Sequence, residues 1–298
     1  MSIRPTCSRK PRSDTVVMTA SSSISAILAQ AQRQLPASGS ARLDAEILLA
    51  FVMRVSREFF YARPENTVTA NQICDYQSLI ARRASGFPVA YLTGQKEFWS
   101  AELTVNQHTL IPRPETECLV ETALELIPGH ASLDILDLGT GSGAIAIAIA
   151  GERPGSQLTA VDIVAESLSV AQANAGQYGL SNIRFLQSDW FSGLPDAVFD
   201  IIVCNPPYVD SRYHGFTDGE IRFEPRIALD GGHQGLTIIN HLIPAAIRHL
   251  KPGGYLLLEH GYDQALSIRH LFKLHRFSSM RTRCDYAGKE RVSYACLL

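Results

Sequence analysis

A regular alternation that begins after Pro112-Arg113-Pro114 limits what this chain can fold into. Five short apolar runs, DILDL (134–138), LTAVD (158–162), IRFLQ (183–187), FDIIVC (199–204) and YLLLEH (255–260), have the length and branched content of buried strands. Helical segments over 144–150, 165–178 and 236–250 lie between them, and another over 263–272 follows the last. Strand, helix, strand repetition with near-continuous apolar strands predicts an α/β fold, a mostly parallel sheet covered on both faces. The tail MRTRCDYAGKERVSYACLL sets Ala287-Gly288-Lys289 between two β-rich runs, which predicts a C-terminal antiparallel hairpin and seven strands in all. In such sheets ligands sit beyond the carboxyl ends of the strands.

The preceding part has a different period. Ile24, Ile27 and Leu28, then Leu43, Ile47, Leu48 and Phe51, then Ile73, Tyr76, Leu79 and Ile80 recur at helical spacing. Pro36, Ser38, Gly39 and Ser40 break the first helix from the second, and Arg63, Pro64, Glu65 and Asn66 the second from the third. The expected organisation is a tail over 1–22, a small helical domain over 23–90, a β-hairpin linker around Gly94 over 91–112, and the α/β domain over 113–298. The tail carries Arg4, Arg9, Lys10 and Arg12 against Asp14 alone. We expect it to be disordered, or to precede a true start at Met18.

Composition narrows the function classes. With 46% hydrophobic and 19% charged residues the chain is a folded globular protein. Lys+Arg at 27 against Asp+Glu at 29 gives a formal charge of −2, so no global positive field draws it onto nucleic acid. The six cysteines show no metal or redox spacing and the nine histidines no ligand cluster, so we expect reduced thiols, no metal and a cytoplasmic protein. No run of about 18 apolar residues is present to span a membrane.

The first strand ends in Asp137-Leu138-Gly139-Thr140-Gly141-Ser142-Gly143 and runs into AIAIAIA. Glycines at alternate positions allow a tight turn and let a ligand lie against backbone N–H groups at a helix start. Asp162, 23 positions after Gly139, stands where an acid grips a ribose hydroxyl, so an adenosine cofactor is expected. Asp137 precedes the glycines; there a carboxylate repels a pyrophosphate but accepts from a cationic amino group, which favours S-adenosylmethionine over a nicotinamide dinucleotide. Asp189-Trp190, past the third strand, supplies an acceptor for an adenine amine and an aromatic plane.

Directly after the fourth strand comes Asn205-Pro206-Pro207-Tyr208. Two successive prolines fix φ and remove two backbone donors, so the loop is stiff. A planar NH₂ group is a poor nucleophile because its lone pair is delocalised. The Asn205 side-chain oxygen and the Pro206 carbonyl can both accept from such a group and orient its nitrogen, while Tyr208 can stack on the planar face.

Together, DLGTGSG, Asp162, Asp189-Trp190 and NPPY resemble the class I S-adenosylmethionine-dependent methyltransferases acting on planar amino or amide nitrogens. RLDAEILLA (42–50), LTGQKEFW (92–99), LIPRPETE (110–117), RFEPRIAL (222–229) and LLLEHG (256–261) resemble one branch, the peptide chain release factor glutamine methyltransferases. The resemblance implies a Rossmann-like methyltransferase sheet with the helical module holding the substrate. It implies a class I release factor as partner, methylated on the glutamine N5 of its Gly-Gly-Gln tripeptide; separately from the resemblance, we expect a monomer with no direct nucleic-acid or membrane partner. By the same resemblance Gly139, Thr140, Gly141, Ser142 and Gly143 would contact the methionine part of the cofactor, Asp162 the ribose hydroxyls and Trp190 the adenine region, with Ile163 and Asp189 also binding the cofactor. Asn205 would touch both cofactor and substrate, with Pro206, Pro207 and Tyr208 lining the substrate pocket. Arg113 and Glu115 are open between a substrate groove and a solvated turn. The alternatives are a ribosomal-protein glutamine methyltransferase and a DNA adenine N6-methyltransferase.

Overall fold

Ser23 opens the first helix among the described residues by accepting a hydrogen bond from the Ala26 N–H, a cap that contributes about 1 kcal/mol. The computed structural model describes residues 22–35 and 39–298, so the expectations for the tail up to Ala20 and Ser21, for Pro36 and for Ser38 lie outside the described residues. The chain divides into two units between Ser85 and Gly86.

The first unit contains β1 (Ser22–Ser23), α1 (Ile24–Gln34), α2 (Ala41–Met53), α3 (Glu58–Ala62), β2 (Thr67–Val68) and α4 (Ala70–Ala84). A reciprocal Thr69/Gln72 capping box starts α4. Ile24, Ile27, Leu28, Leu48, Ile73, Tyr76 and Ile80 are buried as their spacing predicts. On α2 the buried face differs from the expected one: Leu43 and Phe51 are exposed, and Ala41, Asp44, Ala45 and Leu49 are buried instead. The rotation follows from polar partners. Asp44 pairs with Arg83 at 2.8 Å, the Tyr76 hydroxyl donates to the Ala45 carbonyl, and Glu46 accepts from Arg57 and Tyr61. Leaving one member of a buried pair alone costs about 3–5 kcal/mol, more than the roughly 1.5–3 kcal/mol from burying one more Leu or Phe.

The second unit begins with α5 (Val89–Thr93) and an antiparallel hairpin, β3 (Gln95–Phe98) and β4 (Ala101–Thr104). Its two-residue turn, Trp99-Ser100, has positive φ at both positions, as right-twisted hairpins require. Then follow α6 (Glu117–Leu126), β5 (Asp134–Leu138), α7 (Ala144–Glu152), β6 (Gln157–Asp162), α8 (Ala165–Gln177), β7 (Ile183–Gln187) and β8 (Phe199–Cys204). The unit ends with α9 (Thr237–Ala246), β9 (Leu250–Glu259), α10 (Ala265–Leu274), β10 (Phe277–Cys284) and β11 (Glu290–Leu297).

Seven strands form one sheet in the order β10-β11-β9-β8-β5-β6-β7. Contacts among β5 to β9 are parallel, and β11 runs antiparallel to both β9 and β10. Successive residues feed opposite cores. Ile135, Ile201, Val203 and Leu257 pack with α6 and α7, and Leu136, Leu138, Ile202 and Leu258 with α9 and α10. Helix α7 is apolar all round, and residues 144–150 are all buried. The segment expected to be helical over 236–250 is shorter, with Pro244 inside α9, and β9 starts at Leu250 rather than Tyr255 because Leu250 pairs with Phe199 across a register shift.

Candidate active site

Strand order reverses at β5, which lies between β6 and β8, so a crevice opens at the carboxyl ends of β5 and β8. Leu138 and Cys204 are register partners, so Gly139 and Asn205 leave neighbouring strands at the same level. This registry brings together two motifs that stand 66 residues apart in the chain.

A cavity of about 280 Å³ occupies the crevice. Of the expected residues, Gly139, Gly141, Asp162 and Ile163 line one side, and Asp189, Trp190, Asn205 and Pro207 also face it. Thr140, Ser142, Gly143, Pro206, Tyr208, Arg113 and Glu115 are not in its wall. The glycine loop turns with φ of +73°, +58° and +85° at Gly139, Gly141 and Gly143. A Cβ on Gly141 would meet nothing within 4 Å, whereas one on Gly143 would press on Ile147 and Ala171, so Gly141 faces the opening and Gly143 the packing beneath it.

Asp162 closes the loop. Its Oδ2 accepts from the Gly141 N–H and its Oδ1 from the Val164 N–H, both at 2.9 Å. Burial raises its pKa, and these backbone donors oppose the rise. Each carboxylate oxygen keeps a lone pair for a hydroxyl from the cavity. The Trp190 ring stands 3.6 Å from where a Gly139 Cβ would be, forming an apolar wall. An acid with spare lone pairs, an aromatic plane and bare glycine backbone suit a nucleoside with an amino-acid tail.

Asp137 is fully buried beneath the loop instead of facing the cavity. Its Oδ2 accepts from the Thr140 hydroxyl at 2.7 Å, while Oδ1 has no partner among the described residues. Burial pushes its pKa up to about 7.

Asn205 is half-buried and lines the cavity, and its Nδ2 donates to the Thr116 hydroxyl at 3.2 Å. The Tyr208 hydroxyl donates to Glu259 at 3.1 Å, and Tyr208 borders a separate recess with Gly261, Tyr262 and Arg291. Arg113 pairs with Glu224, whose other oxygen accepts from the Ile111 N–H at 3.1 Å, so LIPRPETE and RFEPRIAL are fastened to each other. Glu115 is exposed.

Sequence spacing misses several residues that build the site. Asn174, fully buried in α8, donates to the Ser142 and Thr104 carbonyls and joins the glycine loop to the β-hairpin. Gln264 donates to the Tyr208 carbonyl at 3.0 Å and holds the end of the NPPY loop. His108, Leu110, Ala228 and Asp230 also line the cavity. A polar residue inside an apolar helix face, as at Asn174, is the one available signal. Among the described residues no group of acids, histidines and cysteines could hold a metal, and no helix is long and apolar enough to cross a membrane.

Comparison with known proteins agrees with this architecture. Residues 26–94 match the family model described as PrmC N-terminal domain, and residues 130–292 the model described as methyltransferase domain. Among solved structures, a methyltransferase from Pyrococcus furiosus has a TM-score of 0.51 at 20% identity, covering 74% of this chain and 96% of that one. The hMettl16 catalytic domain has a TM-score of 0.55 at 14% identity, covering 78% and 85%. Both show the class I methyltransferase fold alone. The release factor glutamine methyltransferase of Salmonella typhimurium is 47% identical over 266 residues, 89% of this chain and 96% of the relative. Those of Escherichia coli and Pseudomonas aeruginosa are each 46% identical, again with 96% of the relative covered. Identity of this level, running through the helical unit and the methyltransferase sheet alike, shows that the chain belongs to the release factor glutamine methyltransferase family.

Proposed function

We propose that this protein transfers a methyl group from S-adenosylmethionine to the side-chain N5 of the glutamine in the Gly-Gly-Gln motif of class I peptide chain release factors, modulating translation termination. The observation that carries the chemistry is that Asn205 opens into the same cavity as Gly141, Asp162 and Trp190. The names of the relatives matched along nearly their whole length support the choice of substrate.

When bound, S-adenosylmethionine supplies an electrophilic methyl group on a cationic sulfonium. The loop from Gly139 to Gly143 takes its methionine part, Asp162 the ribose hydroxyls, and Ile163, Asp189 and Trp190 the adenine side. Asn205 Oδ1 and the Pro206 carbonyl accept from the substrate NH₂ and aim its nitrogen, with Pro207 and Tyr208 confining the planar amide. Positioning is the main contribution, because holding reactants in an attack geometry removes several kcal/mol of barrier. No strong base is needed, since the product nitrogen sheds its proton after attack. The protein works in the cytoplasm as a monomer, its helical unit docks the release factor, and neither nucleic acid nor membrane takes part.

The test is transfer of labelled methyl to a release factor, its Gln-to-Ala variant, ribosomal protein and DNA in parallel. Label is expected on the unaltered release factor alone. Label confined to ribosomal protein or to DNA overturns the assignment.

A further inference from the structure

The backbone at Trp190 is strained. Its φ is +49°, and among the described non-glycine residues with positive φ it alone lines the cavity. A bulky side chain rarely adopts this region, and it persists there only where its surroundings over-determine it. The turn that follows β7 supplies that hold through Ser188, which is buried. The Ser188 hydroxyl donates to the Trp190 carbonyl and accepts from the Gly193 N–H, both at 2.8 Å, and Ser192 Oγ lies 3.4 Å away. A Cβ on Gly193 would stand 3.0 Å from Ser188 Oγ, so the turn closes this tightly only around a glycine. The Ser188 N–H in turn donates to the Asp162 carbonyl at 3.0 Å. One serine therefore links the residue that bears the acid of β6 to the residue that bears the aromatic wall.

We propose that Ser188 is a positioning residue that holds Trp190 in the left-handed conformation and so keeps its ring against Gly139, at the adenine end of the cofactor cavity. This rests on the assignment of Trp190 to the adenine side. The ring stands 3.6 Å from the Cβ position of Gly139 and packs on the core that contains Leu138 and Phe191. Ser188 also lines the cavity. Its hydroxyl has one hydrogen and two lone pairs; the hydrogen and one lone pair are engaged within the turn, and Ser192 lies beside the other. It therefore acts on the cofactor through Trp190 and not by contact.

Without the hydroxyl, the Trp190 carbonyl and the Gly193 N–H lose their shared partner and nothing opposes relaxation of Trp190 to negative φ. Backbone conformation sets where Cβ points, so relaxation carries the ring off Gly139 and removes one wall from the adenine. The reacting methyl lies at the other end of the cofactor, beside Asn205. Loss of the wall should therefore weaken cofactor binding in ground state and transition state alike, which raises KM for S-adenosylmethionine and leaves kcat unchanged.

The indole itself reports the outcome, because the chain has two tryptophans, Trp99 and Trp190, and Trp99→Phe leaves Trp190 alone. In that full-length background Ser188→Ala should move the Trp190 emission to longer wavelength and reduce its change on titration with S-adenosylhomocysteine. By calorimetry Kd for S-adenosylhomocysteine should rise about tenfold, the order of one lost hydrogen bond, and KM for S-adenosylmethionine should rise with it at constant kcat. Gly193→Ala keeps the serine but crowds its hydroxyl, so it should act in the same direction, and it decides the matter should Ser188→Ala not fold. In Trp190→Gly there is no ring to place, and adding Ser188→Ala should weaken binding no further. An unmoved emission in Ser188→Ala, or an equal further loss of affinity in the Trp190→Gly protein, overturns the proposal. If the unaltered protein binds no S-adenosylhomocysteine, the cofactor assignment fails, while the Trp190 emission still decides whether Ser188 holds the ring.

Discussion

Gly235 is where the backbone approaches the NPPY loop most closely, and Gly235→Ala should dislodge that loop. Gly235 has φ of +68°, and a Cβ there would lie 1.9 Å from the Tyr208 carbonyl oxygen and 2.6 Å from Gln264 Nε2. Neither neighbour can yield alone, because Gln264 Nε2 donates to that same carbonyl and to the Gln234 carbonyl. A left-handed alanine costs about 1–2 kcal/mol, and forcing a methyl into packed structure about 1–3 kcal/mol. The sum is about 2–5 kcal/mol. At about 2–4 °C per kcal/mol for a domain of this size, Tm should fall by roughly 4–20 °C. Gly253→Ala is the control, since Gly253 has φ of +81° with nothing within 4 Å of its Cβ position, and only the backbone component of about 1–2 kcal/mol applies. Thermal or urea unfolding of both variants, with kcat measured well below Tm, separates the two contributions. Gly235→Ala should also lose about 100-fold in kcat if Tyr208 moves by about 1 Å. Equal stability of the two variants, with wild-type turnover in Gly235→Ala, would refute the close approach as the support of the loop.

Asn205→Ala should abolish methyl transfer while S-adenosylmethionine affinity measured by calorimetry changes little; retained turnover would remove Asn205 from its role. Asp162→Ala removes the acceptor that binds the Gly141 N–H, so cofactor affinity should fall by about tenfold or more, the loss of roughly 1.5–3 kcal/mol expected for a charged hydrogen bond. Unchanged affinity would mean that the acid at the end of β6 is misassigned. Asp137 contributes a pH dependence of stability. Its pKa is raised from 3.8 to about 7 by burial, so the folded state holds a proton that the unfolded state releases between those values. Stability from this group is therefore greatest below about pH 4 and falls as pH rises to about 7. In Asp137→Asn the urea midpoint should vary less between pH 5 and pH 7, and an undiminished slope would show that Asp137 is not the group responsible.

The parallel core strands were legible because strands buried on both faces are short, apolar and bounded by turn residues. DILDL, IRFLQ and FDIIVC coincide with β5, β7 and β8. Boundaries set by long-range pairing were not: β9 begins at Leu250, a position that only its registry with Phe199 defines. On α2, periodicity favoured the face bearing Leu43 and Phe51, and the buried face was selected instead by Asp44 and its partner Arg83, 39 residues away.

The site divides in the same way. Gly141, Asp162, Trp190 and Asn205 stand in short motifs whose chemistry is local, so their residue types alone marked them. Thr116, Asn174, Glu224, Glu259 and Gln264 act by hydrogen bonds to residues 30 to 113 positions distant; Thr116, Glu224 and Glu259 stand in runs that resemble the family, but the partner of each is not legible from its neighbours along the chain. The amino-acid sequence by itself determined the strand and helix alternation, the glycine turn and the stiff Asn-Pro-Pro-Tyr loop, because steric limits and hydrophobic period operate within a few residues. Only the tertiary structure decided that Leu138 and Cys204 lie in register, that Asn205 Nδ2 meets the Thr116 hydroxyl, and that the buried Glu259 carboxyl receives the Tyr208 hydroxyl. These depend on which distant groups desolvation and hydrogen bonding bring into contact.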